Sequence, residues 1–356
     1  MGAWGQRDSC GADTPTTVCS RLLDEITCAP CVRFWSHDVN GRQTMSVLNR
    51  WLRVSVALLF IVAGTLWTSA TSRAQNAQPL VSRDTLTQVS EHVYALVGFP
   101  NIGIVVGSRA TLVIDTGLGA RNGATVVGVA QNLAKGPILY LTTTHYHSEH
   151  SSGEQAFPAN TVIIRSVVQQ EEMNDRVTEH MVFFRNMSAQ NRELLQGVKF
   201  RTPDILFGSE LRLDLGGVTA RLFLLGPAHT KGDEFIFVEE DSVLIPGDIV
   251  QNKLFPIMPN EDATMKGWLA DLDKLESLSP RFIVPDHGAL GDGSLIAKER
   301  AMLTELQQRA LELKRQGTSV AEAGQLLVAE FHAKYPDWPN PERIPSAVKR
   351  VYAELQ

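Results

Sequence analysis

Cysteine is almost absent from this chain of 356 residues, because its four cysteines all lie within the first 31 positions, as Cys10, Cys19, Cys28 and Cys31. Cys28 and Cys31 have the spacing of a redox or zinc pair, but two ligands do not complete a structural zinc site. The rest of the chain can form no disulfide and offers no thiolate ligand. A transition-metal site there must use histidine and carboxylate donors.

Basic clusters are absent as well. The formal net charge is −6 at pH 7, and no run of Lys and Arg occurs in the sequence. Because nucleic-acid binding depends on such clusters to neutralise phosphates, the charge balance argues against nucleic acid as a partner. The composition, with 44% hydrophobic and 20% charged residues, is that of an ordinary globular protein.

The chain also lacks a hydrophobic run long enough for a typical membrane span. Its longest apolar stretch, residues 54–67, has 14 residues, whereas a span needs roughly 20. Arg50 and Arg53 precede this stretch, and Ser72-Arg73-Ala74 resembles a cleavage site. We therefore expect a secretory signal peptide at residues 45–74, a periplasmic or secreted protein, and no stable membrane insertion after cleavage. The alternative is an uncleaved membrane anchor.

Residues 1–44 do not fit in front of a signal peptide, which normally starts at or near the N-terminus. Met45 is a natural start. We therefore interpret residues 1–44 as a leader or a mis-called upstream extension.

Strand-like and helix-like patterns alternate from about residue 80 to 295, and the region from 296 to 356 is helical in pattern throughout. The helical pattern near 263–278 has Asp262 as its expected N-cap, and Ser319 with Glu322 predicts a capping box. Short β-branched runs predict strands, and alternating runs around tight turns predict two hairpins. The strands are expected within 92–99, 102–107, 111–117, 137–145, 161–166 and 281–288, and the hairpins within 210–226 and 233–248.

Residues 144–150 read THYHSEH and concentrate metal donors. His145 and His147 would point the same way on a strand, and a turn at the strand end can bring Glu149 and His150 to the same point. Three later polar residues also follow apolar strands, namely His229, Asp248 and His287. These seven donors exceed the needs of one tetrahedral zinc ion and suit two ions with about three protein ligands each.

At this point the sequence resembles the metallo-β-lactamase superfamily. HYHSEHSSG is similar to its H-x-H-x-D-H motif, and GPAHTKGDEFIF, VLIPGD, VPDHG and VIDTG resemble further motifs of the family. All five occur in family order within residues 85–290. The resemblance implies an α/β fold, a four-layer αβ/βα sandwich with metals at one edge. It does not cover residues 296–356, where the helical pattern predicts a C-terminal helical extension. The family-like catalytic domain would span 80–295.

The resemblance also implies a role for each donor. Carried over by position, His145, His147 and His229 would hold a first Zn²⁺, and Glu149, His150 and His287 would hold a second. Asp248 would bridge both ions. Asp115 would support the cluster without binding metal. Glu149 and Asp248 would be the catalytic residues, orienting the nucleophile and handling protons. We expect two zinc ions per chain, with one ion or a different metal as the alternative.

The implied function is a secreted zinc-dependent hydrolase, in which a metal-bound hydroxide cleaves an ester, lactone or amide bond, including that of a β-lactam. A small molecule would be the substrate. Two alternatives stay open: a thioester hydrolase of the glyoxalase type and a mononuclear iron dioxygenase on the same fold. The sequence says nothing about the oligomeric state.

One departure concerns Glu149, because the family has Asp at this position. The extra methylene extends the carboxylate by roughly 1.5 Å. Three outcomes follow: a dinuclear site that has adjusted, a weakened second site, or a degenerate site. Asp286, directly before His287, is either a surface acid in a turn or a hydrogen-bond partner of a ligand histidine.

Overall fold

The computed structural model describes residues 79–354. Within this range the chain forms twelve strands in two sheets, and eight α-helices. The predicted leader at 1–44 and the predicted signal peptide at 45–74 lie outside the described residues, as do the four cysteines. Those expectations therefore stay predictions.

The first sheet contains seven strands that follow one another in sequence order. The first four are antiparallel, whereas β4 to β7 run parallel to one another. Their bounds are Leu86–Gln88 (β1), Val93–Leu96 (β2), Ile102–Val106 (β3), Ala110–Ile114 (β4), Ile138–Thr142 (β5), Val162–Ser166 (β6) and Ile205–Phe207 (β7).

The second sheet has five strands in the order β12-β11-β10-β9-β8. Its two hairpins, β8–β9 and β10–β11, occupy the regions where alternating polarity predicted them, and β12 adds in parallel to β11. The bounds are Glu210–Asp214 (β8), Thr219–Leu224 (β9), Glu234–Val238 (β10), Val243–Ile245 (β11) and Phe282–Ile283 (β12).

Four of the eight described α-helices begin at side-chain caps that the local sequence supplies. Ser319 accepts a hydrogen bond from the Glu322 N–H, as the predicted capping box requires. The expected cap Asp262 was wrong: Thr264 accepts from the Gly267 N–H instead, and Asp262 forms ion pairs with Arg176 and Lys231. The bounds are Gly119–Leu133 (α1), Ser148–Ser151 (α2), Val167–Met187 (α3), Ala189–Leu194 (α4), Met265–Ser277 (α5), Ser294–Arg315 (α6), Val320–Lys334 (α7) and Ile344–Ala353 (α8).

Three apolar clusters show how the layers stack. Helix α1 packs on the first sheet through Val126 and Ala130, which contact buried residues of β2 to β5. The two sheets pack against each other through a second cluster that contains Leu112 and Leu222. The far face of the second sheet is covered by α5 to α8, with Trp268 fully buried among them. The predicted four-layer α/β sandwich is therefore confirmed. No helix within residues 79–354 is both long and apolar enough to cross a membrane.

Polar residues gather where the strands of both sheets end. β4 and β5 are paired in parallel with Ile114 opposite Thr142, so both strands end at the same level. Asp115 directly follows β4, and the histidine-rich segment begins just after β5. His229, Asp248 and His287 lie in the segments after β9, β11 and β12. The sandwich thus brings residues separated by up to 172 positions to one edge.

Candidate metal centre

The structure brings the seven predicted donors together at this edge, and all of them are buried. Ligand atoms of His145, His147 and His229 lie within 4.8 Å of one another. The same holds for Glu149, His150 and His287. These two groups coincide with the two ligand sets that the sequence resemblance implied.

The first group is arranged like three corners of a tetrahedron. His229 Nε2 lies 3.2 Å from His147 Nδ1, and the ring centroids of His145 and His229 are 5.0 Å apart. Two nitrogens bound to one zinc ion at 2.0–2.1 Å with tetrahedral angles are separated by about 3.3 Å. The observed nitrogen separation therefore fits a single tetrahedral ion.

Asp248 lies between the two groups. Its Oδ2 is 3.5 Å from His229 Nε2 in the first group. Its Oδ1 is 3.3 Å from His287 Nε2 and 3.9 Å from His150 Nε2 in the second. One carboxylate thus presents an oxygen to each group, which is the arrangement that a bridging ligand requires.

Glu149 reaches the second group despite its extra methylene. It belongs to the short helix α2, which begins directly after His147. Its Oε1 lies 3.8 Å from His150 Nε2, and its Oε2 is buried without a hydrogen-bond partner. The carboxylate therefore stays beside the other donors rather than turning away from them.

Neighbouring acceptors fix which ring nitrogen of His229 and His150 faces the cluster. The backbone carbonyl of Ile257 lies 3.0 Å from His229 Nδ1. His147 instead presents Nδ1 to His229, and Asn260 Nδ2 lies 3.3 Å from its Nε2. Asp115 Oδ2 lies 3.0 Å from His150 Nδ1. An Nδ1–H that donates to an acceptor behind the ring leaves Nε2 as a free electron pair, which is the form that binds metal.

Asp286 is a second acid behind His150, so the surface reading of this residue was wrong. It is fully buried, its Oδ2 accepts from the Thr144 hydroxyl at 2.7 Å, and the same oxygen lies 3.2 Å from His150 Nδ1. Asp286 also falls within metal-binding distance of His145 and His150. Because its oxygen already faces Thr144 and the Nδ1 side of His150, its geometry suits support better than ligation.

Burial controls the protonation of this cluster. It lowers the pKa of His145, His147 and His287 well below the ordinary value, so these rings are neutral. It also raises the pKa of Glu149 to about 7 and raises that of Asp248. Burial acts to lower the pKa of His150 too, but the adjacent Asp115 and Asp286 outweigh it and raise that pKa. Neutral imidazoles are the ligand form.

Buried polar atoms without hydrogen-bond partners indicate whether the cluster suits a metal ion. Buried side-chain atoms normally find hydrogen-bond partners, because an unsatisfied polar atom is costly. Six atoms here have none among the described residues. Five belong to the predicted donors, namely His145 Nε2, His150 Nε2, His287 Nδ1, Glu149 Oε2 and Asp248 Oδ1, and the sixth is Asp286 Oδ1. Imidazole nitrogens and carboxylate oxygens suit a divalent zinc ion once they are deprotonated, so His150, whose pKa is raised, must release a proton when metal binds.

The cluster forms the floor of a cavity of about 530 Å³. His147, Glu149, Asp248 and His287 line it, and its walls include residues of α3 and of the segment that precedes α8. Several polar wall residues escaped prediction from the sequence, among them His180 and Arg343. Both lie on helical segments without a motif, where a lone charged or polar residue usually faces solvent.

His180 contacts the cluster directly. Its ring is parallel to that of His147, with centroids 3.9 Å apart. Its Nδ1 accepts a hydrogen bond from the Ser148 N–H at 3.1 Å, so the ring proton resides on Nε2. Burial lowers the pKa of His180 to about 3 and keeps the ring neutral. It supplies one neutral N–H to the cavity wall.

Comparisons with known proteins agree with this geometry. The family model of the metallo-beta-lactamase superfamily matches residues 95–287. The linear primary-alkylsulfatase of Pseudomonas sp. (strain ATCC 19151) is 22% identical over 219 residues, which are 52% of this chain and 40% of the relative. The chain thus spans less than half the length of this curated relative.

Two solved structures of one sec-alkylsulfatase, the enzyme and its double mutant, share the fold. A stereoselective inverting sec-alkylsulfatase from Pseudomonas sp. superposes with a TM-score of 0.58 at 18% identity, covering 76% of this chain and 50% of that one. A double mutant of a sec-alkyl sulfatase gives a TM-score of 0.59 at 17% identity with the same coverage. At this level of identity the likeness establishes the architecture alone.

Proposed function

The chain belongs to the metallo-β-lactamase superfamily, and from that premise we propose that it is a secreted zinc-dependent hydrolase of ester, lactone or amide bonds. One observation carries the proposal. Buried donor atoms without hydrogen-bond partners converge on the floor of a cavity large enough for a small molecule. Buried donors that share a face and lack partners are a costly arrangement unless cations bind there.

In this proposal the donors divide between two zinc ions. His145, His147 and His229 hold the first, Glu149, His150 and His287 the second, and Asp248 contacts both. Zinc bound there supplies Lewis acidity and a nucleophilic water at neutral pH. The signal peptide expected at 45–74 is what supports secretion.

The chain's own residues prepare the site. Asp115 and the Ile257 carbonyl keep His150 and His229 in the tautomers that leave Nε2 free. Glu149 and Asp248 orient the attacking water and take up its proton, since both carboxylates reach the cavity floor. His180 presents its Nε2–H to the substrate from the wall and can donate to an oxygen as negative charge develops on it.

Sulfate ester hydrolysis is a second candidate reaction. The names of the curated relative and of the two solved structures describe alkylsulfatases. The cavity wall contains Phe99, Phe183 and Met187, which would suit the alkyl part of such an ester. In both reactions water would cleave an ester, attacking the acyl carbon of a carboxylic ester and either the sulfur or the alkyl carbon of a sulfate ester.

Metal content and a substrate screen test the proposal together. We expect about two zinc ions per chain by elemental analysis, and hydrolysis of at least one ester, lactone or β-lactam in a screen that also covers alkyl sulfates and thioesters. One iron per chain with oxygen uptake would overturn the proposal in favour of the dioxygenase. Turnover of thioesters alone would favour the glyoxalase type.

His145→Ala removes a donor at the centre of the cluster. It should abolish activity and lower the bound metal together, because His145 belongs to two of the groups of potential ligands. His332→Ala, a histidine in α7 remote from the cluster by sequence and outside the cavity lining, is the matched control and should change neither. Full activity in His145→Ala would refute the ligand assignment.

A further inference from the structure

Arg343 places a positive charge in the wall of the same cavity. It is half-buried and lines the cavity together with Glu149, Asp248 and His287. Its guanidinium forms no hydrogen bond or ion pair with another described residue. Because a partly desolvated cation without a partner costs free energy, such a group in a cavity commonly binds an anion. Arg343 also lies outside the segment that matches the family model.

The surroundings of Arg343 hold it in place. Ile344, the first residue of α8, is fully buried and anchors the backbone beside it. The Ser346 hydroxyl donates to the Arg343 carbonyl at 2.7 Å and accepts from the Met258 N–H at 2.9 Å. The start of α8 is thereby tied to the loop that also contacts His229 and His147. These contacts give the backbone of Arg343 a defined position at the cavity wall.

The charge also lies near the donor cluster. Arg343 lines the same cavity as Glu149 and Asp248 of the cavity floor, so an anion bound to it would lie near the proposed reaction centre.

An apolar wall completes the cavity. Phe99, Phe184 and Ile257 line its interior, while Phe183 and Met187 of α3 extend the wall outward and are 52% and 58% exposed. Exposed apolar residues that continue a cavity wall to the surface are suited to an apolar group too long to be enclosed. The cavity wall thus combines the cation of Arg343 and the carboxylate of the adjacent Glu342 with an apolar face.

We infer that Arg343 is the residue that recognises an anionic group of the substrate, a singly charged oxyanion such as sulfate or carboxylate, while the wall of α3 binds an attached alkyl chain. What happens to that ligand rests on the proposed hydrolase function. The specificity of the site would then come from the C-terminal helical region, not from the metal-binding motifs.

Binding of a non-hydrolysable amphiphile tests this without turnover. Calorimetric titration of the full-length, metal-loaded protein with 1-octanesulfonate and with 1-octanol compares an anionic with a neutral ligand of equal chain length. We expect the sulfonate to bind more tightly. Arg343→Gln should weaken its binding about 10- to 100-fold, the usual range for a hydrogen bond to a charged group, and should change octanol binding less than about threefold.

Matched variants separate this role from a structural one. Lys349→Gln removes the same charge from an exposed position of α8 and should leave sulfonate binding unchanged. Arg343→Lys should restore part of the affinity. In wild type, affinity should rise by up to about fourfold per added methylene from butane- to octanesulfonate, and Phe183→Ser should flatten that rise. Since Phe183 is half exposed, this variant should fold.

The outcomes are distinct. Equal sulfonate affinity in wild type and Arg343→Gln, or equal affinity of wild type for octanol and octanesulfonate, would overturn the inference. Arg343-dependent binding without hydrolysis of any ester would support the anion site and refute the proposed hydrolase.

Kinetic measurements of hydrolysis identify which anionic group of the substrate Arg343 binds. If the anion is the scissile group, Arg343→Gln should lower kcat/KM for octyl sulfate and spare methyl octanoate. If it is a separate carboxylate, the same variant should lower kcat/KM for the monomethyl ester of octanedioic acid. Methyl octanoate carries no charge. If Arg343→Gln lowered kcat/KM for this ester as much as for the anionic substrates, the result would contradict recognition of an anion.

Discussion

Glu234 is a buried acid that should make the stability of this protein depend on pH. It lies in β10 directly behind the metal-binding segment, and its Oε1 accepts from the Ser166 N–H at 2.6 Å. Its Oε2 lies 2.9 Å from the Thr142 hydroxyl, which also lies 3.1 Å from the Ile164 carbonyl. A protonated Glu234 can donate to Thr142 while Thr142 donates to Ile164. An ionised Glu234 leaves one of these acceptors without its proton.

The energetic consequence follows from the pKa. Burial raises the pKa of Glu234 from 4.5 to about 7. Between these values the folded state keeps a proton that the unfolded state has lost, so stability falls as the pH rises through this window. At 1.36 kcal/mol per pKa unit, the group should cost about 3 kcal/mol above pH 7. Below pH 4.5 the cost should vanish.

Glu234→Gln imitates the protonated acid, because its amide can donate to Thr142 while its carbonyl accepts from Ser166. Urea unfolding at pH 4.5 and pH 8 should show wild type and variant nearly equal at the lower pH. At pH 8 the variant should be more stable by up to about 3 kcal/mol. Glu179→Gln, an exposed acid of α3, is the control and should show no such difference. A parallel loss of stability in wild type and Glu234→Gln would refute the reasoning.

Two further variants address the metal centre. Asp115→Asn keeps the shape behind His150 but removes the charge that stabilises its Nδ1–H, so metal affinity should fall about 10- to 100-fold in competition with a chelator; unchanged affinity would contradict a supporting role. Glu149→Asp withdraws the carboxylate by roughly 1.5 Å. Elemental analysis of the dialysed variant should therefore find about one zinc ion per chain instead of two. Two ions held with unchanged affinity would show that the extra methylene is unimportant.

Much of the fold could be predicted because the buried strands have a strong local pattern. The β-branched runs of β3, β4 and β6 end at Gly or polar residues, and the helix of the last region ends before Gly317, which has a positive φ of 84°. The edge strands β1 and β7 escaped prediction, since each has only three residues. Their pairing depends on neighbouring strands rather than on their own sequence.

The metal centre was predictable for a different reason. Each donor follows an apolar strand, and the C-terminal ends of parallel strands lie at a common edge. In the second sheet β9 and β11 are both antiparallel to β10, so they too end at one edge. The wall residues His180 and Arg343 follow no strand. Their positions depend on how α3 and α8 pack around the cavity, and no local sequence pattern predicts that packing. The cap at Thr264 escaped for a similar reason, because Asp262 is drawn away into ion pairs.

The charge balance of the metal centre explains why an acidic residue at position 149 matters. Four buried carboxylates surround the histidines, those of Asp115, Glu149, Asp248 and Asp286, and burial opposes their ionisation, raising the pKa of Asp286 to about 6. Two divalent cations would carry a charge that matches four ionised carboxylates, whereas one would leave half of it uncompensated in a buried site. Glutamate preserves this count, and a neutral residue would not. The longer side chain therefore changes where the carboxylate meets the second ion while keeping the electrostatic reason for two ions to bind.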